Sequence, residues 1–196
     1  MAGMAVRYTQ PMQPTPSSRP LAGGLRRAAL LGIVVACVAC DQGTKRLAEA
    51  HFSPGERMSL LGDTVRLELA HNAGAFLSLG AVLPERVRAH LFTWGVGLVV
   101  LGALVAAFRA RTPSRTAVAA ALAGAGGLGN LWDRIATGGW VVDFLNLGVG
   151  PLRTGIFNVA DVSVMAAVVI VLWPGGRGGA PGRNLMASRA ARAPRS

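Results

Sequence analysis

Apolar residues along this chain fall into long blocks separated by short polar stretches, not into one repeating period. The first block runs from about Ala28 to Cys40 and continues as a helical pattern toward Ala50. Its strictly apolar part is shorter than the roughly 20 residues that span a bilayer. It spans only if Asp41 and Lys45 lie near an interface or face the protein interior. The second block, Leu91 to Phe108, is the clearest. The third, about Thr116 to Trp132, is rich in Ala and Gly, and pairs such as Ala123 and Gly127 have the spacing that lets helix backbones approach closely. The fourth runs from about Asn158 to Trp173. Between the first two, Thr64 to Ala70 alternates. Val65, Leu67 and Leu69 fall on one face and Arg66 and Glu68 on the other, the pattern of a half-exposed strand. The expected fold is an all-α membrane protein of four transmembrane helices with a small extracytoplasmic β element. Residues 25–174 form the membrane domain. Residues 1–24, with Pro11, Pro14, Pro16 and Pro20, and residues 175–196 read as disordered cytoplasmic tails.

Composition agrees with the blocks, since 52% of residues are hydrophobic and only 15% charged, apart from the soluble norm in both. The net charge of +11 is a possible nucleic-acid signal, but its distribution argues for a membrane. Arg7, Arg19, Arg26 and Arg27 precede the first block without an acid. Arg109, Arg111 and Arg115 follow the second. Arg177, Arg183, Arg189, Arg192 and Arg195 lie beyond the fourth. Four spans place these three segments on one side, the cytoplasm, as positive charge beside spans requires. Both termini are then cytoplasmic, and no nucleic-acid partner is expected. Cys37 and Cys40 share a helix face within the first block and read as packed small residues, not as a disulfide framework.

Ionisable groups in or beside spans are costly and mark function. Four of the five Asp sit at block ends: Asp41, Asp133, Asp143 and Asp161. The topology above brings all four to the outer side. Asp41 and Lys45 have ion-pair spacing on a helix. They read either as an interfacial anchor or as support for a nearby site. Asn130 shares a face with Asp133 and Arg134. Asp143 stands in W-V-V-D-F between apolar residues, and Asn158 can cap a helix that has Asp161 in its first turn. Two carboxylates held close together do not both ionise readily, so one remains an acid while the other acts as base on a water. That chemistry needs no metal and no cofactor. The scattered His51, His71 and His90 match no H-E-x-x-H. Lys45, the one lysine, has no evident serine partner.

The motifs D41-Q-G-T-K45, N72-A-G-A-F-L-S78, G126-G-L-G-N130-L-W-D133-R134, V141-V-D143-F144 and F157-N158-V-A-D161 occur in the order and approximate spacing of the lipoprotein signal peptidases, signal peptidase II. The chain resembles that family over about residues 28–173. The resemblance implies an aspartyl endopeptidase of the bacterial inner membrane. Such an enzyme removes the signal peptide from diacylglyceryl-modified prolipoproteins, cutting before the lipidated cysteine. It further implies that Asp143 and Asp161 are the catalytic pair and that Asp41, Lys45, Asn72, Gly74, Asn130, Arg134 and Asn158 support or line the site. Asp133 is then structural. Membrane lipid and prolipoprotein are the expected partners of a monomer. One departure is Phe76 and Leu77 where the family pattern has Ala and then Phe. Three rivals remain from the residues alone: a lipidated substrate with Cys37 or Cys40 as the modified residue, a small cation or proton transporter, and a non-enzymatic assembly factor using the Gly-rich third span.

Overall fold

The computed structural model describes residues 19–73, 83–109 and 111–173. Gly74, Phe76 and Leu77, residues 1–18 and residues 174–196 lie outside them. Helix α1 is Arg19–His51. It begins earlier than the residue-25 boundary expected from the sequence. Strands β1 (Arg57–Leu60) and β2 (Val65–Asn72) follow. Then α2 (Glu85–His90) runs through a π-helical turn, Leu91–Gly95, into α3 (Val96–Phe108). Next come α4 (Ser114–Thr137), β3 (Val141–Val149), β4 (Leu152–Arg153) and α5 (Val159–Leu172). Two helical stretches among the described residues, Gly23–His51 and Leu91–Phe108, are long and apolar enough to cross a membrane, and α5 is a shorter apolar helix. Cys37 and Cys40 lie well inside α1, which continues past them to His51.

Helix α4 is central and packs against α1, α3 and α5. Its small residues make this possible. Ala117, Ala121 and Ala125 are buried with Leu30 and Val34 of α1 and Ala107 of α3. A Cβ on Gly126 would strike the carbonyl oxygen of Ala160 and Val164 Cγ2, so glycine sets the α4–α5 distance. The outward surface is apolar: Leu31 and Val35 of α1, Leu98 and Val99 of α3, and Val169 and Leu172 of α5 are all exposed. Such a surface suits lipid, where backbone polar groups must be satisfied within the helices.

At the end away from the strands, two arginines hold helix termini. Arg26 donates to the carbonyls of Ala107, Arg109 and Thr112 at 3.1–3.3 Å. Arg115 donates from Nε to the Ile170 carbonyl at 2.7 Å, and its Nη2 reaches the Trp173 carbonyl. Both satisfy carbonyls that a helix C-terminus leaves without partners.

The four strands form one antiparallel sheet in the order β1-β2-β3-β4. Only the β2 region was expected as strand. The simple alternation expected there is interrupted, because the register shifts between Leu67 and Ala70. The extra residue of this bulge puts Ala70, not Leu69, opposite Asp143. Leu69 is instead buried with Ala48, Val142 and Phe144, which seats the sheet on the end of α1.

Candidate active site

Where α1, α4, β3 and the start of α5 meet, the polar residues form one connected network. Its base is an ion cluster. Lys45 Nζ lies 2.8 Å from Asp41 Oδ2 and 2.7 Å from Asp133 Oδ2, all three side chains being buried. Asp41 Oδ1 also accepts the Ala160 N–H at 2.9 Å, which fastens α1 to the first turn of α5. Asp133 accepts from the Gln42 amide at 2.8 Å and from the Val142 N–H at 3.2 Å, which fastens α4 to α1 and β3. Gly129 admits this arrangement, since a Cβ there would stand 2.5 Å from Asp41 Oδ2. The Asp41–Lys45 pair is thus interior and not an interfacial anchor. Gln42, part of D-Q-G-T-K, was not singled out in the sequence, where nothing distinguished it from an exposed neighbour.

Above the ion cluster lie two asparagines. The Asn130 carbonyl oxygen accepts from Lys45 Nζ at 2.9 Å and from Asn158 Nδ2 at 3.0 Å, while its own Nδ2 donates to Asp161 Oδ1 at 3.0 Å. Asn158 is 0% exposed. Its backbone N–H donates to Asp161 Oδ2 at 3.1 Å, and its side-chain oxygen accepts the Asp161 N–H at 3.0 Å. This reciprocal capping box starts α5 and satisfies two donors that a helix N-terminus otherwise leaves open. Asn158 Nδ2 also donates to Asp143 Oδ1 at 2.6 Å and to the Val142 carbonyl at 3.2 Å. One residue therefore bonds both carboxylates, Asp143 through its side chain and Asp161 through its backbone N–H.

Asp143 is carried on β3, and its second oxygen accepts from Asn72 Nδ2 of β2 at 3.0 Å. The bulge in β2 sets that meeting. Burial pushes the Asp143 carboxyl up to about 6, and the Asp161 charge adds to the rise. The Asn72 and Asn158 hydrogen bonds and the Lys45 charge pull the other way. Asp161 is half-buried. Arg134 donates to the Asn130 carbonyl at 3.3 Å, and its guanidinium is within electrostatic reach of Asp143, Asp161 and Asp133. Its buried Nε has no hydrogen-bond partner among the described residues.

The structure thus brings Asp41, Lys45, Asn72, Asn130, Arg134, Asp143, Asn158 and Asp161 together, while Gly74 lies outside the described residues. The four aspartates divide chemically. Asp41 and Asp133 share a lysine. Asp143 and Asp161 are held by amide N–H groups, and among the described residues neither forms an ion pair with a cation in direct contact. Burial favours the neutral form of Asp143 against the pull of those hydrogen bonds, and two carboxyl groups joined through one residue can supply an acid and a base together.

A model of the family described as signal peptidase (SPase) II matches residues 33–174. Lipoprotein signal peptidase of Moorella thermoacetica is 35% identical over 74% of this chain and 89% of that protein. The Mycobacterium avium protein of the same name is 36% identical over 83% and 87%. A bacterial membrane enzyme solved by the in meso method at 1.9 Å resolution superposes with a TM-score of 0.64 and 25% identity, covering 74% of this chain and 90% of that one. A second such structure, at 2.3 Å resolution, shares the fold with a TM-score of 0.62 at 22% identity. The match runs from the middle of α1 through β3 to the end of α5 and takes in the whole polar network. The chain belongs to the signal peptidase II family.

Proposed function

We propose that this chain is the peptidase that removes signal peptides from diacylglyceryl-modified prolipoproteins, with Asp143 and Asp161 as its catalytic pair. The observation that carries the reading is the division of the aspartates: among the described residues, the Asp143 and Asp161 carboxylates both bond to Asn158 and contact no cation, whereas Asp41 and Asp133 share Lys45. In the reaction one carboxylate takes a proton from water, and the hydroxide adds to the scissile carbonyl carbon. The other carboxyl donates its proton to the carbonyl oxygen, giving a tetrahedral diol. The first carboxyl then protonates the leaving amide nitrogen, one diol hydroxyl returns its proton to the second carboxylate as the C–N bond breaks, and the acid and amine separate.

Asn158 and Asn130 position the two carboxylates, and Asn72 fixes the second oxygen of Asp143. The Asp41–Lys45–Asp133 cluster holds the helix ends beneath them. Arg134, with donor capacity left over, lines the site on the substrate side. We place α1, the α2–α3 helix, α4 and α5 as four spans of the bacterial inner membrane, with both termini in the cytoplasm and the sheet outside. Exposed Trp94 and Trp132 near the sheet end, and exposed Trp173 beside the Arg115 contacts at the other, support two interfacial levels. The transporter alternative loses its motivation, because Asp41 and Asp133 are already engaged by a shared Lys45 inside the protein.

The test is cleavage by purified protein of a prolipoprotein with and without the diacylglyceryl group, in the presence of a chelator. Cleavage of the lipidated form alone, just before the modified cysteine and unaffected by chelation, is expected. Equal cleavage of both forms, or none by folded protein, would remove the proposed substrate class.

A further inference from the structure

Strand β3 pairs with β2 along one edge, and β4 covers its other edge only at Gly148 and Val149. An open edge leaves N–H and C=O groups in need of partners. In the stretch that carries Asp143, groups outside the sheet take up that edge. In an antiparallel strand the N–H groups of every second residue point to the same side. Trp140 N–H donates to Thr137 Oγ1 at 2.9 Å, Val142 N–H to Asp133 Oδ2 at 3.2 Å, and Phe144 N–H to the Phe157 carbonyl at 3.1 Å. On the same edge the Val142 carbonyl accepts from Asn158 Nδ2 at 3.2 Å. A hydroxyl, a carboxylate, a carbonyl and an amide thus stand where a neighbouring strand would. Asp143 lies within the stretch they hold.

The outermost of these partners is Thr137, the last residue of α4. Its hydroxyl meets both backbone groups of Trp140, accepting the N–H and donating to the carbonyl oxygen at 2.8 Å. The hydroxyl proton is shared with the Asp133 carbonyl one turn back, at 2.9 Å. Both groups of one residue engaged by one partner is what a hydrogen-bonded pair in an antiparallel ladder provides. Thr137 therefore extends the held length of β3 by one residue, beyond the last β2 pair of Asn72 with Val141. The turn between α4 and β3 needs this. Gly138 has φ 76° and Gly139 φ 128°, a backbone that glycine adopts freely and holds weakly. Two such residues give β3 no fixed starting point. A shift of one residue would carry Asp143 to the opposite face of the sheet. A smaller shift would stretch the 2.6 Å bond from Asn158 and the 3.0 Å bond from Asn72 that aim its oxygens.

We infer that Thr137 is a positioning residue for the reaction: its clasp on Trp140 sets where β3 begins and so where the Asp143 carboxylate stands. It acts through the backbone of residues 140–143. The inference rests on the reading of Asp143 as catalytic. It requires a dependence on the hydroxyl and not on the bulk of the side chain, expressed in turnover and not in substrate binding.

The test uses two variants of the full-length protein. Thr137→Val keeps the shape and removes the hydroxyl, and Thr137→Ser keeps the hydroxyl and removes a methyl group. Both are compared with the wild type and with Asp143→Asn in cleavage of a lipidated prolipoprotein, at a temperature where circular dichroism finds each protein folded. Amide hydrogen exchange is followed in peptides covering residues 138–143. Thr137→Val is expected to lose kcat by roughly 10- to 100-fold, the effect of displacing a reacting group by about an ångström, with KM unchanged. Its 138–143 segment should exchange faster. Thr137→Ser should restore most of the turnover and the protection. Wild-type kcat in Thr137→Val, with or without faster exchange, would overturn the inference. So would a loss in Thr137→Ser equal to that in Thr137→Val. A raised KM at full kcat would also overturn it, making Thr137 a substrate contact in the shallow concavity it lines with His71 and Trp140. Cleavage by Asp143→Asn would overturn the catalytic assignment itself, whereas an inactive Asp143→Asn beside a fully active Thr137→Val would overturn the positioning role alone.

Discussion

Replacing Lys45 by Met leaves the length of the side chain but removes the cation shared by two buried carboxylates. Its ammonium lies 2.8 Å from Asp41, 2.7 Å from Asp133 and 2.9 Å from the Asn130 carbonyl oxygen. Breaking a buried pair from one side costs about 3–5 kcal/mol, because the partner charge stays behind. Here Asp41 keeps the Ala160 N–H, and Asp133 keeps Gln42 and the Val142 N–H. Those bonds place the expected loss near the lower end, about 3 kcal/mol, or roughly a hundredfold in the folded-to-unfolded ratio. For a chain of this size that corresponds to a melting temperature lower by about 6–12 °C. The assay is thermal unfolding in detergent, followed by circular dichroism. Adding Asp41→Asn to Lys45→Met removes one stranded charge, so the double variant is expected to melt above the single one. A Lys45→Met protein that melts with the wild type, or a double variant that loses stability additively, would refute the buried ion cluster.

Gly126→Ala is expected to destabilise by about 1–3 kcal/mol, because its Cβ meets the Ala160 carbonyl and Val164. Gly32→Ala on α1 has open space, so it should be neutral or slightly stabilising by helix propensity, and equal melting of the two variants would contradict the α4–α5 approach. Asp143 supplies a pH dependence. Its folded value of about 6 lies above the ordinary 3.8, so the folded state holds the extra proton between them. The stability this contributes is present below about pH 4 and is lost as pH rises through 6. The melting difference between Asp143→Asn and wild type should therefore shift in favour of the variant from pH 4 to pH 8, by on the order of 2–3 kcal/mol. A difference independent of pH would mean that burial does not raise this carboxyl.

The helical blocks were legible because a lipid solvent requires contiguous apolar runs, and Leu91 to Phe108 appears in the fold with the same bounds as in the sequence. The gathering of Asp41, Asp133, Asp143 and Asp161 followed from connectivity and charge alone. The Asn158 cap with Asp161 at its third position was equally visible, since three-residue spacing is a local signal. What was hidden is tertiary. Spacing gave the Asp41–Lys45 pair, but not that Asp133 reaches the same lysine from α4, and that sharing is what separates Asp133 chemically from Asp143. Strand β3 was missed because Val141 to Asn146 is almost wholly buried next to the helices and shows little of the alternation that marks a half-exposed strand. The β2 bulge left no trace in the alternating pattern of Thr64 to Ala70, yet it sets the register that lets Asn72 reach Asp143.

The central claim is that Asp143 and Asp161, and not Asp133, carry the chemistry. It is tested most directly by single-turnover cleavage of a lipidated prolipoprotein with Asp143→Asn, Asp161→Asn and Asp133→Asn, each compared with its own melting temperature. The account predicts that the first two remain folded and lose cleavage by at least about a hundredfold, as expected for removal of a general acid or base. Asp133→Asn should lose stability while its folded fraction still cleaves. Retained cleavage in Asp143→Asn or Asp161→Asn, or a folded Asp133→Asn that does not cleave, would contradict it.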